Sequence, residues 1–149
     1  MWYALVKRDS EIVQLLLDNG ADIPANGRDY NGRTVLHVAL NRRWIKFFDA
    51  EHIFNKKLGI DIDTRENDGK RALWYACKHK RWDVAKALRE RGANMQVINE
   101  RDSKGRTLLH ITTINYSLDD FLDFVQGLDI EIDAKDHRGR TALWYAAKN

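Results

Sequence analysis

The stretch at residues 27–34, GRDYNGRT, comes within one residue of a phosphate-binding loop. That loop follows the pattern G-x-x-x-x-G-K-S/T, in which the lysine reaches the phosphates. This chain has Arg33 at the lysine position, and the word GRT recurs at Gly105 and Gly139 without the first glycine. Such recurrence is typical of a turn that stands at the same position of each repeat, so the stretch predicts a structural turn rather than a nucleotide site.

The other residues that could do chemistry are scattered along the chain. The five histidines never stand at the spacing of metal ligands, and Cys77 has no second cysteine with which to form a disulfide or metal site. No nucleophile elbow, zinc-helix signature or dinucleotide fingerprint occurs. The sequence therefore predicts a protein that is not an enzyme and that needs no cofactor, metal or small-molecule substrate.

The single cysteine and the hydropathy pattern bear on location. A lone thiol favours a reducing compartment, because proteins of oxidising compartments use paired cysteines. No apolar run approaches the roughly 20 residues that span a bilayer. We therefore expect an intracellular protein, cytoplasmic or nuclear, that does not use a membrane.

Tryptophan and tyrosine stand side by side at Trp2, Trp74 and Trp144. Aromatic rings that surround a cation can hold a methylated lysine. The pairs nevertheless recur within the same short word, RALWYAC and TALWYAA, and a residue at a fixed position of a repeat usually packs against neighbouring units. Packing is therefore the favoured interpretation, and an aromatic cage is the alternative.

The chain is built from repeats. Four similar words contain the glycines Gly32, Gly69, Gly105 and Gly139, which are 37, 36 and 34 residues apart. Self-similarity at this period indicates stacked units, each too small to bury its own apolar face. Apolar residues three and four apart, such as Val84, Ala85 and Leu88, predict short amphipathic helices. Gly20 and Gly92 are predicted to end second helices in the left-handed conformation.

These words resemble those of the ankyrin repeat family, whose unit of about 33 residues has a turn, two antiparallel helices and the word T-P-L-H-x-A. Residues 34–39 (TVLHVA) are the closest copy, and residues 20–23 (GADI) copy the family's Gly-Ala-Asp ending. The resemblance covers the whole chain. It implies that His37 and His110, the histidines of the word, hydrogen-bond within the turns.

The resemblance implies an all-α solenoid of stacked helix-turn-helix units with β-hairpin fingers. We expect one domain over residues 1–149 with about four and a half repeats, at residues 1–28, 29–65, 66–101, 102–135 and, incomplete, 136–149. The last repeat would hold its first helix only, with Leu143, Trp144 and Tyr145 uncovered. We therefore expect the chain to be an excerpt from a longer array.

Partners of ankyrin arrays usually contact the turn tips and the inner helices. The residues at those positions include ten bases and one acid, a net charge of +9, which acids at the turn edges reduce to about +5. This segregation predicts that a basic concave face, together with the fingers, binds an acidic protein partner. Arg33, Lys70 and Arg106 are expected to be exposed. The predicted contact residues are Tyr30, Arg33, Arg42, Asn67, Lys70, Lys78, His79, Lys104, Arg106, His137, Arg138 and Arg140.

The sequence leaves two alternatives to a stand-alone protein-binding module. A basic face could hold nucleic acid, but its bases follow the repeat period, and Tyr30 is the only aromatic residue among them, whereas single-strand binders interleave several. The second alternative is a module that targets or regulates a catalytic domain elsewhere in a larger protein. The identity of the partner is not encoded in any motif.

Overall fold

The computed structural model of the protein describes residues 15, 19–20, 26–40, 59–114 and 118–148. Trp2 and Arg42, which the sequence singled out, lie outside these residues. Among the described residues, no helix is long and apolar enough to span a bilayer. The helices there are α1 (Val35–Ala39), α2 (Ala72–Lys78), α3 (Trp82–Glu90), a 3₁₀ helix (Met95–Asn99), α4 (Leu108–Ile114), α5 (Leu118–Phe124) and α6 (Ala142–Lys148).

The chain has two compact units, residues 1–75 and 76–149. In the first unit, α1 and the first half of α2 bury their apolar side chains, including Leu36 and Leu73. In the second unit, α3 packs against α5, while α4 packs against α5, α6 and the 3₁₀ helix. The predicted apolar stripe of α3 is confirmed, because Val84, Ala85 and Leu88 are fully buried. The positions of the repeat boundaries stay a prediction.

Helix α3 ends as its sequence predicts. Gly92 has a φ of 82°, and its N–H donates to the carbonyl of Arg89 at 2.9 Å, while that of Ala93 donates to Leu88 at 3.0 Å. These bonds satisfy carbonyls that the last turn of a helix leaves open, and glycine adopts the required left-handed conformation without strain. Gly20, with a φ of 76°, adopts the same conformation.

Four tight turns precede α1, α2, α4 and α6, at residues 29–33, 66–70, 102–106 and 136–140. In each turn the first residue's N–H donates to the carbonyl of the fifth, and the glycine's N–H donates to the carbonyl of the first, at 2.8–3.0 Å. The fingers are therefore turns without flanking strands in the described residues, where β pairing is limited to a bridge between Arg65 and Arg71. Each helix begins three residues after the turn glycine, so too few residues remain there to form a β-strand with a ladder of hydrogen bonds.

Candidate protein-binding surface

Three of the four described turns are closed by an aspartate and by the arginine four residues later. In the turn at 102–106, Asp102 Oδ1 accepts the N–H groups of Lys104 and Arg106 at 2.9 Å, and Oδ2 accepts from Arg106 Nη2 at 2.7 Å. The Asp29–Arg33 and Asp136–Arg140 pairs repeat this arrangement. The word D-x-x-G-R therefore builds the turn from its own side chains.

These bonds fix the charge state of the aspartates. Burial alone would raise the pKa of Asp102, but hydrogen bonds from Arg106 and from two backbone N–H groups bring it below its ordinary value. The hydrogen bond from Arg140 is the largest influence on Asp136, and it holds the pKa of that carboxyl well below its usual range. Both aspartates are ionised at neutral pH and compensate their arginines.

The turn at 66–70 is the exception, because Glu66 replaces aspartate and Lys70 replaces arginine. The hydroxyl of Tyr75 donates to Glu66 Oε1, and the ammonium of Lys70 lies 5.2 Å from the ring centroid of Trp74. Burial raises the pKa of Glu66, and the nearby charge of Asp68 acts in the same direction. The carboxyl at this turn is therefore more easily protonated than the three aspartates.

His37 joins the turn at 29–33 to the turn at 66–70. Its Nδ1 accepts the N–H of Thr34 at 3.2 Å, and its Nε2 lies 3.1 Å from the carbonyl of Lys70. Since a carbonyl can only accept, Nε2 carries the proton and the ring is neutral. Burial lowers the pKa of His37, which agrees with that state. We call these two turns the first turn pair.

His110 joins the turns at 102–106 and 136–140 in the same way, and we call them the second turn pair. Its Nδ1 accepts the N–H of Thr107 at 3.2 Å, and its Nε2 lies 3.0 Å from the carbonyl of Arg140. A backbone bond from the N–H of His137 to the carbonyl of Lys104, at 3.0 Å, also links the two turns. The predicted structural role of His37 and His110 is thus confirmed.

The expected exposure of three predicted contact residues is wrong. Lys70 is only 9% exposed. The side chains of Arg33 and Arg106 are 24% and 23% exposed, because each is held against the aspartate of its own turn. Charges used inside a turn are less available to a partner, so these residues are weaker candidates than their sequence positions indicate.

Other predicted residues do lie at the turn tips. In the second unit, Lys104, His137 and Arg138 are exposed and line a cleft of about 420 Å³ together with Arg106 and Arg140. We call this the turn cleft. In the first unit, Tyr30 has a fully exposed side chain and Asn67 is exposed. Lys78 and His79, at the end of α2, are half-buried and do not line the turn cleft.

Ser103, which occupies one of the family's contact positions but is absent from the predicted contact residues, also lines the turn cleft, as does Tyr145, which sequence reasoning missed. The hydroxyl of Tyr145 donates to Asp136 Oδ2 at 2.8 Å, as that of Tyr75 donates to Glu66. The signal was an acid nine residues before a tyrosine in both words. Packing and an aromatic cage, the two interpretations of the Trp-Tyr pairs, do not include this bond to the turn acid.

The packing interpretation of the tryptophans is confirmed at Trp74, which is 4% exposed. Trp144 is 41% exposed, and its ring lies 4.9 Å from the guanidinium carbon of Arg140 and 5.2 Å from the ammonium of Lys148. Cations of the chain itself thus lie over the face of this ring. The arrangement does not favour an aromatic cage for a methylated lysine.

Comparison with known proteins identifies the family. A family model described as Ankyrin repeats (3 copies) matches residues 1–99. The chain therefore belongs to the ankyrin repeat family, and the predicted all-α ankyrin fold is confirmed. Members of this family are generally non-catalytic modules that bind other proteins.

Individual relatives align with most or nearly all of the chain. Rabankyrin-5 of Homo sapiens is 30% identical over an alignment of 156 positions that covers 98% of this chain and 13% of that protein. NF-kappa-B inhibitor delta of Mus musculus is 30% identical over 120 residues, 78% of this chain and 35% of that protein. L-asparaginase of Dirofilaria immitis is 28% identical over an alignment of 151 positions that covers 99% of this chain and 23% of that protein. The chain thus spans a minor part of each relative.

Proposed function

We propose that this chain is a non-catalytic recognition module that binds an acidic protein partner through the tips of its second turn pair. The observation that carries the proposal is the exposure of Lys104 and Arg138 on neighbouring tips. Among the described residues, neither side chain has a carboxylate partner. Their charges are therefore available to an incoming protein.

The acids of the second turn pair do not cancel the positive charge at its surface. The side chain of Asp136 is fully buried and that of Asp102 is 11% exposed. The four cations and two carboxylates of the two turns leave a formal charge of +2. Each carboxylate is less exposed than the arginine that binds it. A positive surface of this kind attracts acidic proteins and speeds their association.

The first unit offers contacts of a different kind. Tyr30 has a fully exposed side chain at a turn tip, and tyrosine is enriched among residues that dominate binding energy at protein interfaces. We propose Tyr30 and Asn67 as partner contacts on this basis. Arg42, which lies outside the described residues, and the half-buried Lys78 and His79 keep their place as weaker proposals.

A second candidate function is a targeting or regulatory module within a larger protein that contains an enzyme. The similarity to L-asparaginase supports it, since only 23% of that protein aligns with this chain. Intracellular phospholipase A2 of Caenorhabditis elegans is 33% identical over 109 residues, which is 9% of that protein. On either proposal the chain acts inside the cell, in the cytoplasm or nucleus, without a small-molecule substrate of its own. Nucleic acid is a less favoured ligand.

The double variant Lys104→Glu/Arg138→Glu tests the proposal. A partner is first captured from a lysate and purified, and its dissociation constant is then measured by calorimetry. We expect affinity to fall on the order of tenfold or more, because two favourable charges become repulsive. Wild-type affinity should also fall as salt rises from about 50 to about 500 mM, because ions screen exposed charges.

The matched control is Lys86→Glu/Lys135→Glu, which makes the same change in net charge outside the turn cleft. Both double variants replace exposed side chains. The control also removes the ion pair between Lys86 and Asp123, but such an exposed pair contributes little to stability, so helical circular dichroism of both should stay near the wild-type value. Equal losses of affinity in the two double variants would show that net charge alone drives binding. Unchanged affinity in the turn-cleft variant would contradict the proposed site.

A further inference from the structure

We propose that the turn cleft binds a phosphorylated side chain of the protein partner, so that the interaction depends on phosphorylation. This inference rests on the proposed function and names the chemistry of the partner at that same surface. It depends on the number of cations around the cleft, on how they are held, and on the charge they leave uncompensated.

Four cationic side chains line one volume of about 420 Å³. Lys104 and Arg138 bring their whole ammonium and guanidinium groups. Arg106 and Arg140 donate through Nε and Nη2 to their own aspartates, which leaves Nη1 of each outside those bonds. Among the described residues, no carboxylate lines the cleft. The site therefore offers many hydrogen-bond donors to one anionic group, and no carboxylate in its described lining competes with that group for them.

The charge of the second turn pair matches a phosphoryl group better than a carboxylate. Its formal charge is +2 with histidine counted as neutral. A glutamate or aspartate of the partner would compensate one of these charges. A phosphorylated side chain carries about −1.5 to −2 at pH 7 and has three strong acceptor oxygens. Guanidinium groups pair with phosphate through parallel hydrogen bonds, which suits Arg138.

Part of the cleft is already held in place for an anion. The guanidinium of Arg140 is fixed by Asp136, and its carbon lies 4.7 Å from the ring centroid of Tyr145. Arg106 is fixed in the same way by Asp102. Donors that are ordered before binding lose little conformational entropy when the ligand arrives. The ligand must then order mainly Lys104 and Arg138.

The first turn pair shows that these cations are not needed to build the turns. It has the same backbone hydrogen bonds in its turns and the same histidine link, yet Asn31 and Asp68 stand where Lys104 and Arg138 stand in the second pair. The positive tips are therefore a property of the second turn pair alone among the described turns. This is the distribution expected if they serve a ligand rather than the fold.

Three synthetic peptides of one neutral sequence, with phosphoserine, glutamate or serine at the central position, test the proposal. They are titrated into the full 149-residue chain while backbone amide signals are followed by NMR. We expect the phosphoserine peptide to bind on the order of tenfold more tightly than the glutamate peptide. The largest shifts should fall at the amides of Gly105, His137 and Gly139.

The variant Lys104→Ala/Arg138→Ala should lose this preference, and the matched Lys86→Ala/Lys135→Ala should keep it. Equal binding of the phosphoserine and glutamate peptides through Lys104 and Arg138 would overturn the phosphoryl specificity but leave the acidic-partner function standing. A purified partner indifferent to the charge reversal of both residues would overturn that function as well. If none of the three peptides binds, the inference is also overturned.

Other phosphate sources are included as competing ligands. Inorganic phosphate that binds as tightly as the phosphoserine peptide would show that the peptide contributes nothing, which overturns the inference. Tighter binding of phosphoinositide vesicles or of a single-stranded oligonucleotide would overturn it in favour of a membrane or a nucleic acid. Preference for the phosphoserine peptide over all of these is the result that supports a phosphorylated protein partner.

Discussion

The first and second turn pairs have the same backbone hydrogen bonds but different side chains at their tips. The N–H of Asn67 donates to the carbonyl of Asn31 at 2.9 Å in the first pair, and the equivalent bond of the second is 3.0 Å long. The formal charge of the five-residue turns is −1 in the first pair and +2 in the second. The repeat frame thus tolerates either sign at its tips, which leaves those positions free to select a partner.

The frame itself depends on residues that cannot vary in this way. Gly32 and Gly105 have φ values of 72° and 74°, and an added Cβ would lie 3.1 Å and 2.8 Å from the backbone nitrogen of the next turn. His37 and His110 use both ring nitrogens to join one turn to the next. Glycine and histidine therefore set the geometry, and the tip side chains set the charge.

The largest difference that we expect between the two regions concerns stability. Trp74 is 4% exposed and Trp144 is 41% exposed, although both follow their turns at the same position. Trp74→Ala should lower the free energy of unfolding by roughly 3–5 kcal/mol, the range for removal of a buried tryptophan. Trp144→Ala should cost about 2 kcal/mol or less, because it removes less burial. Urea denaturation of both variants measures the difference, and equal losses would contradict the contrast in burial.

A smaller effect, of opposite sign in the two pairs, concerns the turn carboxyls. The pKa of Asp136 is lowered by its bond from Arg140, so its contribution to stability is present above the unfolded value of about 3.9 and is lost as pH falls towards the folded value. Asp136→Asn should therefore destabilise the protein at pH 7, and the deficit should shrink on acidification below about pH 4.

Glu66 should behave in the opposite way, because burial raises its pKa above the unfolded value of about 4.3. Stability due to this group is gained as pH falls through the folded pKa towards the unfolded value. Glu66→Gln keeps an acceptor for Tyr75 and removes a buried charge, so at pH 7 it should stay within about 1 kcal/mol of wild type or exceed it. Denaturation midpoints between pH 3 and pH 7 compare the two variants. A loss of stability at pH 7 as large for Glu66→Gln as for Asp136→Asn would refute the assignment.

The sequence predicted the parts of this comparison that repeat. Helices, glycine caps and the two histidines fall at fixed positions of the unit, so each copy supports the others. The distribution of free charge could not be predicted in the same way. Their positions in the repeat predict that Arg33 and Arg106 are exposed, although each stands four residues after an aspartate that binds it. The net charge of a set of residues does not tell which charges the fold uses internally.

The smallest structural change that we propose makes the tips of the first turn pair resemble those of the second. Asn31→Lys/Asp68→Arg changes the formal charge of the first pair from −1 to +2. Both positions are exposed, so the free energy of unfolding should stay within about 0.5 kcal/mol of wild type. If tip charge selects the ligand, the variant should gain a second site for the phosphoserine peptide, with NMR shifts at the amides of Gly32 and Gly69.

The reciprocal variant, Lys104→Asn/Arg138→Asp, is the matched control, because it gives the second pair the tips of the first and should lose its site. Two sites in the first variant and none in the second would show that four tip residues suffice to move ligand binding between equivalent turns. The reciprocal variant could lose its site while the first variant gains none, and this result would have a different meaning. The first turn pair has the buried Lys70 at the position of the aspartate-bound Arg140. Lys70 would then be unable to replace Arg140 in ligand binding. The ordered guanidinium of Arg140 would be as necessary to the site as the charges of the tip residues.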